Sequence, residues 1–171
     1  MATKVVEAIQ KARAASEKRN FIQAFDLTIN LRDIDLSKPE NRINEEVILP
    51  HGRGKNLKVV VIANGELALQ SQKAGADLVI TRREIEEYAK DKKNLKKLAK
   101  EHEFFVAQAD MMPLVGKYFG PVFGPRGKMP KPVPANVVIG PLLEKLRKTV
   151  RIRLKEKPLL HIPIGNEKME D

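Results

Sequence analysis

The residues best suited to hold a polyanion lie in the stretch from Gly120 to Pro134, which reads GPVFGPRGKMPKPVP. It contains three glycines, five prolines, the cations Arg126, Lys128 and Lys131, and no acidic residue. So much glycine and proline argues against a regular helix or a central strand. It predicts a stiff loop that presents backbone amides and cations at fixed positions. Such a loop suits phosphate groups, and it fits equally well a loop packed against another domain.

The charged residues are unevenly distributed along the chain. The formal charge is +10 at pH 7, from 32 Lys and Arg against 22 Asp and Glu. Residues 1–52 hold 8 basic and 8 acidic side chains, whereas residues 117–157, which include Arg151 and Arg153, hold 11 and 2. A solvated basic face is one explanation. A segment with so large an excess is also where the contact with a polyanion is expected, and nucleic acid is the commonest such partner.

Several kinds of catalytic site are missing from the sequence. Cysteine is absent, and His51, His102 and His161 are not spaced like metal ligands. The glycines of residues 49–55 do not form a nucleotide-phosphate loop, and no G-x-G-x-x-G motif follows the apolar run 57–63. We therefore expect no enzyme, no metal and no cofactor. An α/β enzyme and a basic module for an acidic protein remain as alternatives.

Two other features predict no special site. The acid pairs Asp33/Asp35 and Glu86/Glu87 fall in a turn-rich loop and on a charged helix, where solvation explains them. No apolar run approaches the roughly 18 residues that a membrane span needs, so no membrane partner is expected.

The N-terminal part of the chain predicts a domain with both helix and sheet. Residues 4–18 show helical periodicity, residues 21–31 alternate like a half-buried strand, and residues 45–49 form a second strand. Gly52 and Gly54 then flank an arginine where the pattern changes. Because glycine allows a sharp change of chain direction, we expect a hinge between two domains here.

The middle of the chain alternates between strands and helices. Strands are predicted at 57–63, 77–81 and 104–107, and helices at 65–74, 82–102, 111–119 and 136–149. Alternation at this short spacing is typical of a small parallel sheet with helices on both faces. The middle is therefore predicted to be an α/β Rossmann-like domain.

The C-terminal part returns to the pattern of the N-terminus. Residues 150–155 and 159–164 read as two strands of an antiparallel hairpin. We expect a discontinuous α+β domain from residues 1–52 and 155–171, with the α/β domain inserted as residues 53–154. An edge strand and a covering helix are expected after Gly165, so the chain is interpreted as truncated at its C-terminal end.

Four motifs together identify a family. They are LPHGRGK at 49–55, AQADMMP at 107–113, GPRGKMPKPVP at 124–134 and HIPIGNEKM at 161–169. In this order and spacing they resemble the archaeal and eukaryotic form of the ribosomal protein L-one family, over essentially the whole chain. The resemblance implies the same two-domain fold, with one domain built from both chain ends.

The resemblance also implies a binding protein. Members of the family bind large-subunit rRNA and form the mobile lateral stalk beside the exit site for deacylated tRNA. Archaeal and bacterial members also bind their own mRNA and repress its translation. The chain is accordingly expected to act in the cytoplasm, on the ribosome, and to be a monomer away from it.

The family's RNA-contacting segments match particular residues of this chain. In the family, most specific RNA contacts come from the domain that is built from both chain ends. The matching residues here are Arg19, Asn20, Phe21, Asp26, Thr28, His161, Pro163, Gly165 and Lys168. The family's Thr-Met-Gly-Pro segment has no counterpart here. Five other basic residues are assigned to phosphate steering or contacts between domains: Arg126, Lys128, Lys131, Arg151 and Arg153.

The residue types are consistent with that assignment. Asp26 and Thr28 share a strand face and can hydrogen-bond to the 2′-hydroxyls that RNA exposes in its shallow minor groove. Phe21 can stack on a base, worth roughly 1–3 kcal/mol, although its parity with Phe25 fits a core residue equally well. Pro163 within a strand indicates an edge or a bulge.

Overall fold

A computed structural model describes residues 2–154 and 157–169, and the chain in it forms two compact units. Unit 1 comprises Met1–Asn56 and Lys148–Asp171, and unit 2 comprises Leu57–Arg147. The sequence placed the two crossings after Gly52 and after Leu154. Residues 148–154 lie in unit 1 because the strand they contain pairs with an N-terminal strand.

The described residues contain six α-helices and eight strands. The helices are α1 (Ala2–Ala15), α2 (Gly65–Lys73), α3 (Arg82–Lys90), α4 (Lys92–Glu101), α5 (Met112–Phe123) and α6 (Ile139–Arg147). The strands are β1 (Ala24–Asn30), β2 (Asn44–Ile48), β3 (Val59–Ile62), β4 (Leu78–Ile80), β5 (Phe104–Gln108), β6 (Lys131–Val133), β7 (Thr149–Arg153) and β8 (Leu159–Asn166).

Unit 2 is built on a four-stranded parallel sheet with the order β4-β3-β5-β6. All four residues of β3 are buried, as expected of an apolar run covered on both faces. Val60 and Ile62 pack with residues of α3, α4 and α5, whereas Val59 and Val61 pack with residues of α2 and α6. The predicted parallel sheet with helices on both faces is thus confirmed.

Two predictions made for unit 2 are wrong. The helix predicted for residues 82–102 is two helices, because Asp91 has an extended backbone (φ −109°, ψ 96°) and caps α4. Its carboxylate accepts hydrogen bonds from the backbone N–H of Lys93 at 2.8 Å and of Asn94 at 3.3 Å. With no glycine or proline at the break, helical periodicity alone could not locate it.

The second error concerns the Gly/Pro stretch, which is partly regular. Residues up to Phe123 complete α5 with Pro121 inside the helix, and Lys131–Val133 form β6. Burial of Phe119 and Phe123 holds the last turns of α5 in place despite the proline. Pro132 is tolerated because β6 is the end strand of the sheet, where one row of ladder bonds is not needed.

Unit 1 contains two antiparallel strand pairs, β1 with β8 and β2 with β7. The predicted hairpin of residues 150–155 and 159–164 is therefore wrong. Lys155, the last residue of its first strand, and Glu156 of its turn lie outside the described residues. Alternating patterns predict strands but not their partners, and both C-terminal strands pair with N-terminal ones. A small core of Val150, Leu154, Leu160 and Ile162 lies between them.

The cap at Asp91 gives a test of the break between α3 and α4. Replacing Asp91 with Ala removes the acceptor for two helix N–H groups and should lower the free energy of unfolding by about 1 kcal/mol. Asp91→Asn keeps a capping oxygen and should cost only a fraction of that. Urea titrations of both variants would measure this, and equal losses would show that the side-chain cap does not stabilise α4.

Gly54 gives a second test, in unit 1. Gly52 and Gly54 both have positive φ, at 68° and 66°, so alanine is strained at either position. An alanine Cβ at Gly54 would also overlap the side-chain amide of Asn166, whereas at Gly52 the nearest atom is 3.7 Å away. We expect Gly54→Ala to lower thermal stability more than Gly52→Ala. Equal melting temperatures would contradict the close packing of Gly54 against Asn166.

Candidate nucleic-acid interface

The candidate interface is the ladder formed by β1 and β8, which brings residues from the two ends of the chain together. Thr28 lies opposite His161 and Asp26 lies opposite Pro163. Opposed residues in an antiparallel pair project on the same side, so these four side chains share one face. Leu160 and Ile162, on the other side of the ladder, are buried in the core of unit 1.

Thr28 and His161 are joined directly. Thr28 Oγ1 lies 3.1 Å from His161 Nδ1, and both side chains are exposed. The contact fixes the imidazole ring while the opposite ring nitrogen, Nε2, is not used in it. Two groups that can hydrogen-bond, 133 positions apart in sequence, are therefore held as one polar site.

The register of the ladder shifts between Phe25 and Asp26, because Phe25 lies opposite Gly165 and Asp26 opposite Pro163. The shift leaves Ile164 as the extra residue of a bulge in β8. Pro163 therefore lies beside a bulge in a two-stranded sheet, which confirms the interpretation made from the proline. A bulge is a common device for redirecting side chains next to a binding surface.

Helix α1 is fixed to the end of this ladder by Arg13. Its guanidinium lies over the ring of Phe25, 5.2 Å from the ring centroid, and donates to the backbone carbonyls of Glu167 and Met169. Glu167 N–H also donates to the Gln23 carbonyl at 3.0 Å. Arg13 therefore positions the segment that contains Lys168, which is exposed.

Two open clefts of unit 1 are lined by residues of that segment or by residues just before it. One of about 690 Å³ is lined by residues that include Lys18, Gln23 and Lys168. The other, of about 330 Å³, is lined by residues that include Arg53 and Lys55 together with Pro163 and Gly165. Each cleft is therefore bordered by cations, and the second also reaches Pro163 of the polar face.

Sequence reasoning missed Arg13, Lys18, Arg53 and Lys55 as residues of this site. The Gly52–Lys55 run was interpreted as a change of chain direction and a hinge between domains, not as part of this site. Asn166 Nδ2 donates to the Gly54 carbonyl at 2.7 Å, and this bond brings the run beside β8. The one available signal was two cations next to glycines, and it carries no information about which strand the turn reaches.

The N-terminal contact residues lie in the connection between α1 and β1. Arg19, Asn20 and Phe21 are exposed, and β1 begins only at Ala24, three residues later than predicted for that strand. Phe21 is 61% exposed, so the core interpretation of this residue is wrong. Its ring is available for stacking.

The basic residues of the Gly/Pro stretch belong to unit 2, whereas the ladder belongs to unit 1. Lys128 Nζ is 3.0 Å from a carboxylate oxygen of Glu103 and donates to the His102 carbonyl at 2.8 Å. Arg126 donates to the Val122 carbonyl at 2.9 Å. Lys131 is half-buried in β6. Lys128 and Arg126 therefore hold the local fold of unit 2, and their predicted role toward phosphate or another domain stays a prediction.

Arg151 and Arg153 belong to β7 in unit 1. Arg151 pairs with Glu46 across the β2–β7 ladder at 3.2 Å, and both side chains are about three-quarters buried. Arg153 lies opposite Asn44 and is exposed. Of the two, Arg153 is therefore the better placed to meet a phosphate.

The remaining titratable features do not form a site among the described residues. Asp33, Asp35, Glu86 and Glu87 are all exposed, as predicted. Ser37 donates to Asp35 from its hydroxyl at 2.6 Å and from its backbone N–H at 3.0 Å, and these bonds lower the pKa of the Asp35 carboxyl. Residues 2–154 and 157–169 contain no cluster of His, Asp and Glu fit to hold a metal, and no helix long and apolar enough to cross a membrane.

Comparison with known proteins identifies the family. Residues 11–171 match the model of the ribosomal protein L1p/L10e family. The chain is 57% identical to the large ribosomal subunit protein uL1 of Methanothermobacter thermautotrophicus, over all of this chain and 81% of that protein. It is 57% identical to uL1 of Methanothermococcus thermolithotrophicus, over 98% of this chain and 78% of that protein.

A third relative agrees with these two. The uL1 protein of Methanobrevibacter smithii is 52% identical over all of this chain and 81% of that protein. Since the family model and relatives above half identity cover nearly every residue, the chain belongs to the ribosomal protein L1p/L10e family.

Proposed function

We propose that this chain is a structural constituent of the large ribosomal subunit and that it binds folded rRNA through the β1–β8 ladder of unit 1. The observation that carries the proposal is the exposed Thr28–His161 pair on the face that also bears Asp26. Family membership supplies the ribosomal setting, since the relatives are named as large-subunit proteins.

The chemistry of this face suits the minor groove of RNA. The wide, shallow minor groove of an A-form helix exposes 2′-hydroxyls, which both donate and accept hydrogen bonds. A carboxylate accepts, a hydroxyl does either, and an imidazole nitrogen does one or the other. Asp26, Thr28 and His161 therefore match hydroxyl partners in both directions.

The cations around the ladder supply the second half of the interaction. Phosphate contacts give affinity and orientation, whereas contacts to sugars and bases distinguish one RNA from another. Lys18 and Lys168 border one cleft, and Arg53 and Lys55 border the other. In this proposal these cations meet the backbone, the polar face reads the groove, and Phe21 stacks on a base or ribose.

The wider role follows from family membership. We propose that the bound rRNA and this protein form the mobile lateral stalk near the tRNA exit site, where they assist the release of deacylated tRNA. The same surface would bind the protein's own mRNA and repress its translation. The protein would act in the cytoplasm, on the ribosome and as a monomer away from it. Gly52 and Gly54 would allow the inserted unit to move, and their hinge role stays a prediction.

The polar face can be tested by removing its hydrogen bonds. Two variants are compared: the single variant Asp26→Ala, and the double variant that combines Thr28→Val with His161→Ala. Each should weaken binding to a stalk rRNA fragment about tenfold or more, because each lost hydrogen bond to a partner is worth about 1 kcal/mol and unpaired RNA groups add to the loss. Gel-shift titration measures this, with the melting temperature as the check on folding.

The control is Gln10→Ala, which changes an exposed polar residue of α1 that lies outside the ladder and lines neither cleft. It should bind as the parent does. If the Asp26 and Thr28/His161 variants fold and also bind the stalk fragment as the parent does, RNA is not recognised by this face.

The bordering cations should change the salt dependence instead. Lys55→Gln with Lys168→Gln removes two proposed phosphate contacts and should reduce the slope of log affinity against log salt by about 1.4 to 1.8. The control double variant combines Lys73→Gln with Lys117→Gln. It removes two exposed lysines of unit 2, and so lowers the net charge by the same amount without touching the proposed phosphate contacts. An equal change in both double variants would mean that only net charge matters.

A further inference from the structure

Helix α4 of unit 2 carries a continuous surface of one charge. Its sequence, KKNLKKLAKE, holds five lysines and one glutamate. Lys92, Lys93, Lys96, Lys97 and Lys100 are all exposed, whereas Leu95, Leu98 and Ala99 are buried. At 3.6 residues per turn and 1.5 Å per residue, the lysines occupy an arc of about 140° and a length of about 12 Å with no acidic residue between them. We call these five residues the α4 lysine surface.

Neighbouring acids do not neutralise this surface. Among the described residues its one ion pair joins Lys97 to Glu101 at 3.9 Å, with both side chains well exposed, and such a pair is weak. Glu103, just beyond the helix, is paired with Lys128 at 3.0 Å. Asp91, just before it, accepts from two backbone N–H groups as the cap.

The arrangement is unfavourable for the helix itself. Lys92 with Lys96, Lys96 with Lys100, and Lys93 with Lys97 are like charges at i,i+4 spacing, each costing a few tenths of a kcal/mol. Lys92 and Lys93 also lie in the first turn, where the helix dipole disfavours cations. Helix α3, which directly precedes α4 in the sequence, has no net charge, with three basic and three acidic residues. Folding of unit 2 therefore does not require the lysine surface.

We propose that the α4 lysine surface is a second RNA-binding surface, which holds phosphates without regard to sequence and is separate from the β1–β8 ladder. A single-sign stripe about 12 Å long reaches two to three phosphates of an RNA strand. It has no aromatic side chain or paired hydrogen-bonding groups with which to distinguish bases. It goes beyond the function proposed above because it lies in the other unit and needs no particular RNA.

The test uses the full chain and a short uridine oligomer as the probe. Lys92→Gln, Lys96→Gln and Lys100→Gln together remove one i,i+4 row of the surface. If each lysine meets one phosphate of a single strand, the slope of log affinity against log salt should fall by about 2. The ratio of parent to variant affinity should then change about 16-fold between about 50 and 200 mM salt.

The matched control removes three charges from the adjacent helix, as Arg82→Gln, Arg83→Gln and Lys90→Gln. It should leave the slope near that of the parent. The triple α4 variant should melt at the parent temperature or above, since like-charge pairs are relieved. A second variant, Lys93→Gln with Lys97→Gln, should lower the slope by about 1.4 and serves if the first fails to fold.

Three outcomes would overturn the proposal: an unchanged slope in both α4 variants, an equal fall in the α3 control, or a polyglutamate that binds the parent through α4 while the uridine oligomer does not. The last outcome would indicate an acidic protein partner. Failure of the ladder proposal is read from the stalk rRNA fragment with the Asp26 and Thr28/His161 variants, and failure of this proposal from the uridine oligomer with the α4 variants, so the two give different results.

Discussion

The antiparallel pairing of β1 with β8 is the constraint on which unit 1 depends. It joins positions as far apart as Thr28 and His161, 133 residues in sequence. Closing a flexible loop of that length costs about 4 kcal/mol. The cost is reduced if unit 2 folds first, because residues 57–147 then no longer belong to the flexible loop. An inserted unit with its own parallel sheet and two-sided core is therefore consistent with a domain made from both ends of the chain.

The pairing also decides which side chains remain on the surface. Ile162 and Leu160 are drawn into the small core of unit 1, and strand alternation then requires His161 and Pro163 to point away from it. Thr28 is brought to the same side by the register. A shift of one residue would exchange the two faces and bury the histidine, so the apolar residues of β8 position the polar ones.

Much of the architecture was predictable because it depends on local periodicity. The buried run of β3, the alternation of β1 and the apolar run of β8 are visible in single windows of sequence, and so is the parallel sheet that follows from alternating strands and helices. The family resemblance added the identity of Thr28 and His161 as candidate contacts. Their direct contact at 3.1 Å depends on a strand register between distant segments, which no window of sequence contains.

The errors have physical causes of the same kind. Pro121 and Pro132 suggested irregular structure, but packing of Phe119 and Phe123 and the end position of β6 made a helix turn and a strand possible. Asp91 ended a helix within an unbroken charged run because its carboxylate satisfies two N–H groups. Nothing in the sequence indicated that Lys128 pairs with Glu103 at 3.0 Å, although its predicted role toward phosphate or another domain stays a prediction. A basic sequence is therefore a weaker guide to phosphate binding than the absence of nearby acids.

The presence or absence of a nearby carboxylate separates the basic side chains of this protein into two kinds. Lys128 and Arg151 have carboxylates at 3.0 and 3.2 Å, so contact with a phosphate would have to replace an existing pair. Lys55, Lys168 and most of the α4 lysines have no carboxylate within 4 Å among the described residues, so phosphate contact replaces no existing ion pair there and is favoured by the counterions that the RNA releases. The polar face of the ladder has few hydrogen-bonding groups, and the strand register fixes their positions. The exposed cations are more numerous, and a long lysine or arginine side chain can reach a phosphate at a range of positions. An RNA-binding protein needs both, because groove contacts select the RNA and phosphate contacts supply most of the affinity.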